Sequence, residues 1–245
     1  MLSVAAPRRW GARVSAQDVS EVADSVPWIA GVEPQMRSEL LSGARLVPLH
    51  RGQALSETCE LAFVTDGVMK VIRRVSKDRE TILRLVETGG LLLDSGAGEV
   101  SFVAFSDNAC VLLLAPSDVK NVLAKSTTAS TTLLAEMRGI YFEVRDLAGD
   151  LTVTPLPRRI AWILARLGRR FGLEEADGTR FIPLSLSRQD IADLSGTTLE
   201  TAIRVMSRLR REEVVKSARS GIAIKDPDRI QRIATGEERL RARVR

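Results

Sequence analysis

Histidine and cysteine are almost missing from this chain, and their scarcity removes whole classes of chemistry. A single histidine, His50, stands in 245 residues. With no metal-ligand cluster, no nucleophile–base set and no Gly-Lys-Ser/Thr phosphate loop, an enzymatic role is not expected. Two cysteines, Cys59 and Cys110, lie far apart. They are too few for a disulfide framework or a four-thiolate iron–sulfur site, so a reducing compartment is the expectation. No apolar run approaches the roughly 18–20 residues that span a bilayer, and no membrane partner is expected. The first residues lack the apolar core of a secretory signal, which makes the cytoplasm the expected location.

What is present reads as an ordinary globular composition, 44% hydrophobic and 27% charged, long enough for one large or two modest domains. Charge is unevenly divided. Residues 1–154 carry a net −3, and residues 155–245 carry +8, with 20 Lys/Arg against 12 Asp/Glu. A basic C-terminal third beside a mildly acidic remainder points to a polyanion as partner of that third.

Along the chain, Pro27 and Pro34 punctuate a lead-in of short helices, and from Arg45 to about Pro116 the texture is that of short strands. Leu61–Val64 and Val68–Ile72 flank Asp66-Gly67, a pair that predicts a β-hairpin. Ser76-Lys77-Asp78 predicts a turn before Thr81–Val86, and Val100–Phe105 and Ala109–Leu114 supply two more strands, together suggesting a small barrel or sandwich. Beyond Pro116, Leu133, Met137, Ile140, Val144, Leu147 and Leu151 recur at alternating spacings of four and three. Such a seam suits a parallel coiled-coil dimer contact, or else a helix lying on its own β-domain. Thr152–Pro157 stops that helix, because each proline disfavours helix in the residue before it.

The segment richest in signals is Ser187–Leu209. Ser187 with Asp190 predicts a capping box. Ile191, Ala192 and Leu194 face inward, Gly196 sits where an inter-helix turn needs an unhindered backbone, and Thr198 caps a second helix. Ala202, Val205 and Leu209 form that helix's buried stripe, leaving Leu199, Glu200, Ile203, Arg204 and Arg208 outward. Val214–Lys216 and Ile222–Ile224, joined by a turn at Ser217–Gly221, predict a wing. This is a winged helix-turn-helix, whose second helix presents its first residues to base edges in the major groove.

By these residues the chain resembles the Crp/Fnr superfamily of bacterial transcription regulators, over about Arg45–Ile230. The resemblance implies an α+β fold: an N-terminal jelly-roll β-barrel sensor domain (residues 1–116 with the lead-in), a dimerisation helix (117–151), a hinge (152–157), a winged helix-turn-helix (158–234) and a charged tail (235–245). It implies a homodimer on palindromic double-stranded DNA with TGA-type half-sites, and RNA polymerase as a further partner. Leu199-Glu200-Thr201-Ala202-Ile203-Arg204 is similar to the family's recognition pattern, in which the glutamate and the arginine read a G·C pair. Leu199 stands where the oxygen- and nitrogen-oxide-responsive branches carry an apolar residue, which implies a TTGAT-like half-site. Ile203 joins the base-facing set with no base assigned. Ser187, Arg188, Thr198 and Thr201 match positions that hold phosphates, and Arg208 extends that set.

The sensor domain departs from the cyclic-nucleotide members. Where they carry a Gly-Glu-Leu turn and a phosphate-pairing arginine, this chain has the shorter Leu93–Ser101 stretch, with Glu99 about where the arginine belongs. Control by cyclic nucleotide is therefore not expected, and neither is a cofactor. A haem-based gas sensor or a thiol-redox sensor of the same fold is the alternative, with His50, Cys59 and Cys110 as the available ligands or thiols.

Overall fold

The computed structural model describes residues 16–57, 61–76, 79–93, 100–218 and 220–240. The chain forms two compact units that divide between Val144 and Arg145. In the first, helices α1 (Ala16–Ala23), α2 (Pro27–Ala30) and α3 (Pro34–Leu41) precede strands β1 (Arg45–His50), β2 (Leu61–Asp66), β3 (Val68–Ser76), β4 (Arg79–Glu87), β5 (Leu91–Leu93), β6 (Val100–Ala104) and β7 (Asn108–Leu113). Helices α4 (Pro116–Lys125) and α5 (Thr127–Val153) follow. Pro27, Pro34 and Pro116 each stand in the first turn of a helix, where their missing N–H leaves no bond unmade.

The strands form two antiparallel sheets, ordered β1-β7-β2-β5 and β4-β3-β6. Ala62, Val64, Leu92, Val111 and Leu113 of the first sheet share one core with Met69, Val71, Val86, Phe102 and Ala104 of the second. The opposite face of the first sheet is covered too. Phe63, Leu91, Cys110 and Leu112 lie in a second core with Trp28, Ile29, Val122 and Leu133 from the helices. Trp28 stacks on Phe63 at 5.5 Å between ring centroids and donates its indole N–H to the Ala129 carbonyl at 2.9 Å. Burial on both faces explains why β2 and β7 read as unbroken apolar runs.

The Asp66-Gly67 hairpin does not form. β2 pairs with β5 and β7, while β3 pairs with β4 and β6, so the chain crosses from one sheet to the other at this glycine. Gly67 has φ +74°, and a Cβ there would fall 2.3 Å from the Asn108 carbonyl oxygen. The glycine is needed, but for a corner pressed against the β6–β7 connection. The hairpin lies one strand later, where β3 and β4 pair down to Ser76 and Arg79.

Residues 117–151, expected as one helix, are divided. Ser126 leaves α4 in extended geometry (φ −118°, ψ 107°) and its Oγ accepts the Ala129 N–H at 3.1 Å. That cap starts α5 afresh. The break before the next helix is confined to Thr154 and Pro155, since α5 runs to Val153 and α6 begins at Leu156.

The apolar residues of α5 also divide between two faces. Leu133 is buried in the core of its own domain and Ile140 packs against that core, while Leu147 is buried as well. Leu134 (66% exposed), Met137 (42%) and Tyr141 (63%) stand outward. The side chain of Leu151 lies outside the described residues. The outward stripe is thus rotated by one residue from the seam expected over Leu133–Leu151, with Met137 and the half-buried Val144 shared by both.

The second unit contains α6 (Leu156–Phe171), β8 (Leu173–Glu174), β9 (Arg180–Ile182), α7 (Arg188–Ser195), α8 (Leu199–Arg211), β10 (Val215–Ala218), β11 (Gly221–Ile224) and α9 (Pro227–Thr235). Its strands form one sheet, ordered β10-β11-β9-β8. Ile160, Leu164, Ile182, Ile191 and Leu209 are fully buried at its centre. Among the described residues no helix is long and apolar enough to cross a membrane.

Candidate nucleic-acid interface

Helix α7 is started by the expected capping box. The Asp190 N–H donates to Ser187 Oγ at 3.0 Å, and the Ser187 N–H donates to Asp190 Oδ2 at 2.9 Å. Gly196 ends the helix in the left-handed region, φ 59° and ψ 39°, which turns the chain into α8 with no Cβ to obstruct it. Thr198 caps α8, accepting from the Thr201 N–H. Ile191, Ala192 and Ala202 have no exposed surface, and the small side chains let the two helices approach closely. Val205, Met206 and Leu209 complete the buried stripe of α8.

That stripe decides what α8 presents outward. Leu199 (36% exposed) and Ile203 (44%) form an apolar patch, and the side chains of Glu200 and Arg204 are exposed beside it. Four residues separate the carboxylate from the guanidinium, about 6 Å along a helix, so both point the same way. The Glu200 carboxylate accepts from its own backbone N–H and from the Thr198 hydroxyl, which holds it below the usual glutamate range. It is ionised at neutral pH and acts as an acceptor, while Arg204 offers only donors.

The residues matched to phosphate positions divide into two kinds. Ser187 donates its hydroxyl proton to Asp190 Oδ2 at 2.6 Å, and the Thr198 and Thr201 hydroxyls are hydrogen-bonded to each other at 3.2 Å. Both hydroxyls are therefore engaged in capping. Arg188 is differently placed: its Nη2 donates to Ser217 Oγ of β10 at 2.8 Å, tying the start of α7 to the wing. Partial burial, and then the nearby Arg210 charge, lower the Arg188 pKa. Arg188 and Arg210 together raise the positive potential beside the start of α7. Nothing in the sequence pattern singled out Arg210 or Ser217, because their partner Arg188 lies 22 and 29 residues away. Arg208 is half-buried and donates to the Leu240 carbonyl at 3.0 Å.

The wing forms between β10 and β11, paired from Val215↔Ile224 to Ala218↔Gly221, and β9 extends it. Its turn is thus tighter than the expected Ser217–Gly221. Glu213 leads into it with φ +56°, an unusual left-handed conformation for a residue with a side chain.

His50 and Cys110 lie on paired strands, β1 and β7, but differ in access. His50 is exposed at the end of β1, its backbone N–H donating to Gln53 Oε1 at 3.1 Å. Cys110 is fully buried, and burial pushes its thiol up to about 11. At neutral pH it is a protonated, unreactive core residue. Cys59 and the 94–99 stretch, with Glu99, lie outside the described residues. Among the described residues, no three His, Cys, Asp or Glu side chains cluster to hold a metal ion.

Residues 158–233 match the Crp-like helix-turn-helix domain. Over 213 residues the chain is 24% identical to a CRP-like cAMP-activated global transcriptional regulator of Mycobacterium tuberculosis, covering 83% of this chain and 94% of that one. It is 27% identical over 179 residues to the nitrogen fixation regulation protein FixK of Bradyrhizobium diazoefficiens, covering 70% and 72% respectively. Among solved structures, FixK2 from Bradyrhizobium japonicum superposes with a TM-score of 0.67 at 22% identity, over 78% of this chain and 96% of the other.

Proposed function

We propose that this chain, a DNA-binding transcription regulator of the Crp/Fnr type, reads palindromic double-stranded DNA as a homodimer, with Glu200 and Arg204 choosing the sequence. The observation that carries this reading is the pair itself. An ionised acceptor and a guanidinium stand exposed together on a capped helix whose opposite face is locked into the domain core. Arg204 matches guanine O6/N7 and Glu200 matches cytosine N4. Leu199 and Ile203 offer apolar contact to thymine methyl groups, in keeping with a TTGAT-like half-site.

Phosphates are held by Arg188 with Arg210 and Ser217, and by Thr201, while Ser187 and Thr198 serve chiefly as caps. The homodimer forms through the outward stripe of α5, Leu134, Met137 and Tyr141. An apolar stripe on a long helix is what a parallel partner helix covers. Two recognition helices then enter successive major grooves about 34 Å apart. RNA polymerase in the cytoplasm is the downstream partner of the reading.

The Mycobacterium tuberculosis relative is named as cAMP-activated, so cyclic AMP is the first effector to try. Glu99, standing about where the phosphate-pairing arginine belongs in the sequence, argues for regulation by something else. The test is fluorescence anisotropy at fixed salt, using a TTGAT-N4-ATCAA duplex against a scrambled one, with and without cyclic AMP. Specific binding that ignores the nucleotide is expected. Binding that appears only with cyclic AMP refutes the effector reading, and equal affinity for both duplexes refutes the sequence reading.

A further inference from the structure

Within the second unit, the start of α6, the end of α8, the end of α9 and the segment after it line an open cavity of about 480 Å³. Three guanidiniums line it, those of Arg158, Arg208 and Arg239. We propose that this cavity binds a small phosphorylated ligand with an apolar body, and that its occupancy alters DNA affinity.

Size and charge both point this way. The volume lies within the range of roughly 300–1,000 Å³ typical of small-molecule sites. Glu238 is the carboxylate in the lining, and it is already engaged by Arg229 at 2.6 Å and Arg232 at 3.1 Å. Those contacts hold it below the usual glutamate range, so it remains charged but compensated. The lining thus holds three arginines beside a carboxylate that other arginines already engage. Arginine forks match phosphate oxygens two at a time, which a point charge does not.

Two of the three guanidiniums are already held in place by backbone carbonyls. Arg158 Nε donates to the Ala234 carbonyl at 2.8 Å, and Arg208 Nη2 to the Leu240 carbonyl at 3.0 Å. A phosphate therefore meets arginines that have little freedom left to lose. Pro155, Pro157 and Leu240 supply the apolar wall for the rest of the ligand.

The site touches the DNA-reading apparatus directly. Arg208 belongs to the last turn of α8, the helix that carries Glu200 and Arg204. Pro155 and Pro157 open α6 immediately after the long helix α5. A ligand that recruits Arg208 restrains one end of the recognition helix, and coupling of this kind changes affinity by about 5- to 150-fold.

The experiment is isothermal titration of the full-length protein with AMP, and with adenosine as the control lacking phosphate. AMP is expected to bind saturably and adenosine at least about tenfold more weakly, the scale of one charge-assisted hydrogen bond. Arg158→Gln and Arg239→Gln are each expected to weaken AMP about tenfold. Arg239 is exposed, so its variant keeps the fold even if loss of the Arg158–Ala234 bond does not. Anisotropy with the TTGAT duplex, at matched ionic strength, should shift at least about fivefold on AMP addition.

Failure of AMP to saturate, or equal binding of adenosine, overturns the phosphate site. AMP binding untouched by Arg239→Gln places the ligand elsewhere and overturns it too. Saturable binding without any change in DNA affinity overturns the regulatory half. Ligand binding is measured without DNA, so its failure is distinct from failure of the DNA-binding reading.

Discussion

Replacing Arg204 with alanine removes one guanidinium from the exposed face of α8 and little else. The side chain is exposed, so the folding stability should stay within about 0.5 kcal/mol of the parent. A bidentate arginine–guanine contact discriminates by about 1–3 kcal/mol. A homodimer on a palindrome makes that contact twice, so the loss on the matched duplex is about 2–6 kcal/mol. Each 1.4 kcal/mol is about a factor of ten, which places the loss between about 30-fold and somewhat above 10⁴-fold. Anisotropy titrations at fixed salt measure it, using the TTGAT palindrome and a set of duplexes changed symmetrically at one half-site position at a time. The parent should distinguish all four pairs at the guanine position, and the variant should keep only the smaller preference that Glu200 supplies through cytosine N4. Discrimination at the other positions should survive. The salt dependence supplies an independent check: a base reader leaves the slope of log K against log salt unchanged, whereas two lost phosphate contacts reduce its magnitude by about 1.8. A uniform loss on every duplex, with the slope reduced in that way, would refute the assignment and make Arg204 a backbone anchor.

Leu134→Asp combined with Tyr141→Asp places charge on the outward stripe of α5. Sedimentation velocity is expected to show a monomer with unchanged far-UV circular dichroism, and a persistent dimer would move the interface elsewhere. Ala192→Leu forces about three extra carbon atoms between α7 and α8 at a site with no exposed surface. It should cost about 1–3 kcal/mol by urea unfolding and weaken DNA binding, because the recognition helix is displaced. The Cys110 thiol, with an ordinary value of 9.0 raised to about 11 by burial, contributes stability that is complete below about 9 and lost as pH rises through 11. Unfolding midpoints measured from pH 8 to 11 should fall over that interval in the parent and much less in Cys110→Ala. Parallel slopes would show that the thiol does not drive the alkaline loss.

The DNA-reading half was legible because its signals are local. Ser187 and Asp190, Gly196, and Thr198 each act on backbone groups within a few residues, and their roles follow from bond geometry that a short segment contains. Asp66-Gly67 misled because a glycine reports only that a positive φ is needed. Whether the chain then folds back into a hairpin or turns a corner depends on the Asn108 backbone, 41 residues away. The seam of α5 was legible as an apolar pattern, yet its inward and outward faces were not separable by spacing alone. Leu133 joins the core that holds Trp28 and Cys110, while Leu134 and Tyr141 face outward, and adjacent residues on a helix differ by about 100°. The break at Ser126 carried a readable signal, a serine three residues before its bonded N–H, but it was masked by the apolar pattern continuing on either side. Ser217 meets Arg188 only because the wing folds back on α7, and Arg210 reaches its neighbourhood from the far end of α8, both long-range events that no local pattern encodes.

The two-faced burial of the β1-β7-β2-β5 sheet bears on how such a regulator diversifies. A substitution on β2 or β7 disturbs either the core shared with the second sheet or the one beneath the helices, so these strands have little latitude for acquiring a new specificity. The far end of β3 is freer, since Arg73, Arg74 and Val75 face solvent, whereas Ile72, Ile82 and Leu85 of the same sheet are buried. Substitutions at those three positions leave both cores untouched, so a new surface contact can be built there without rebuilding the scaffold.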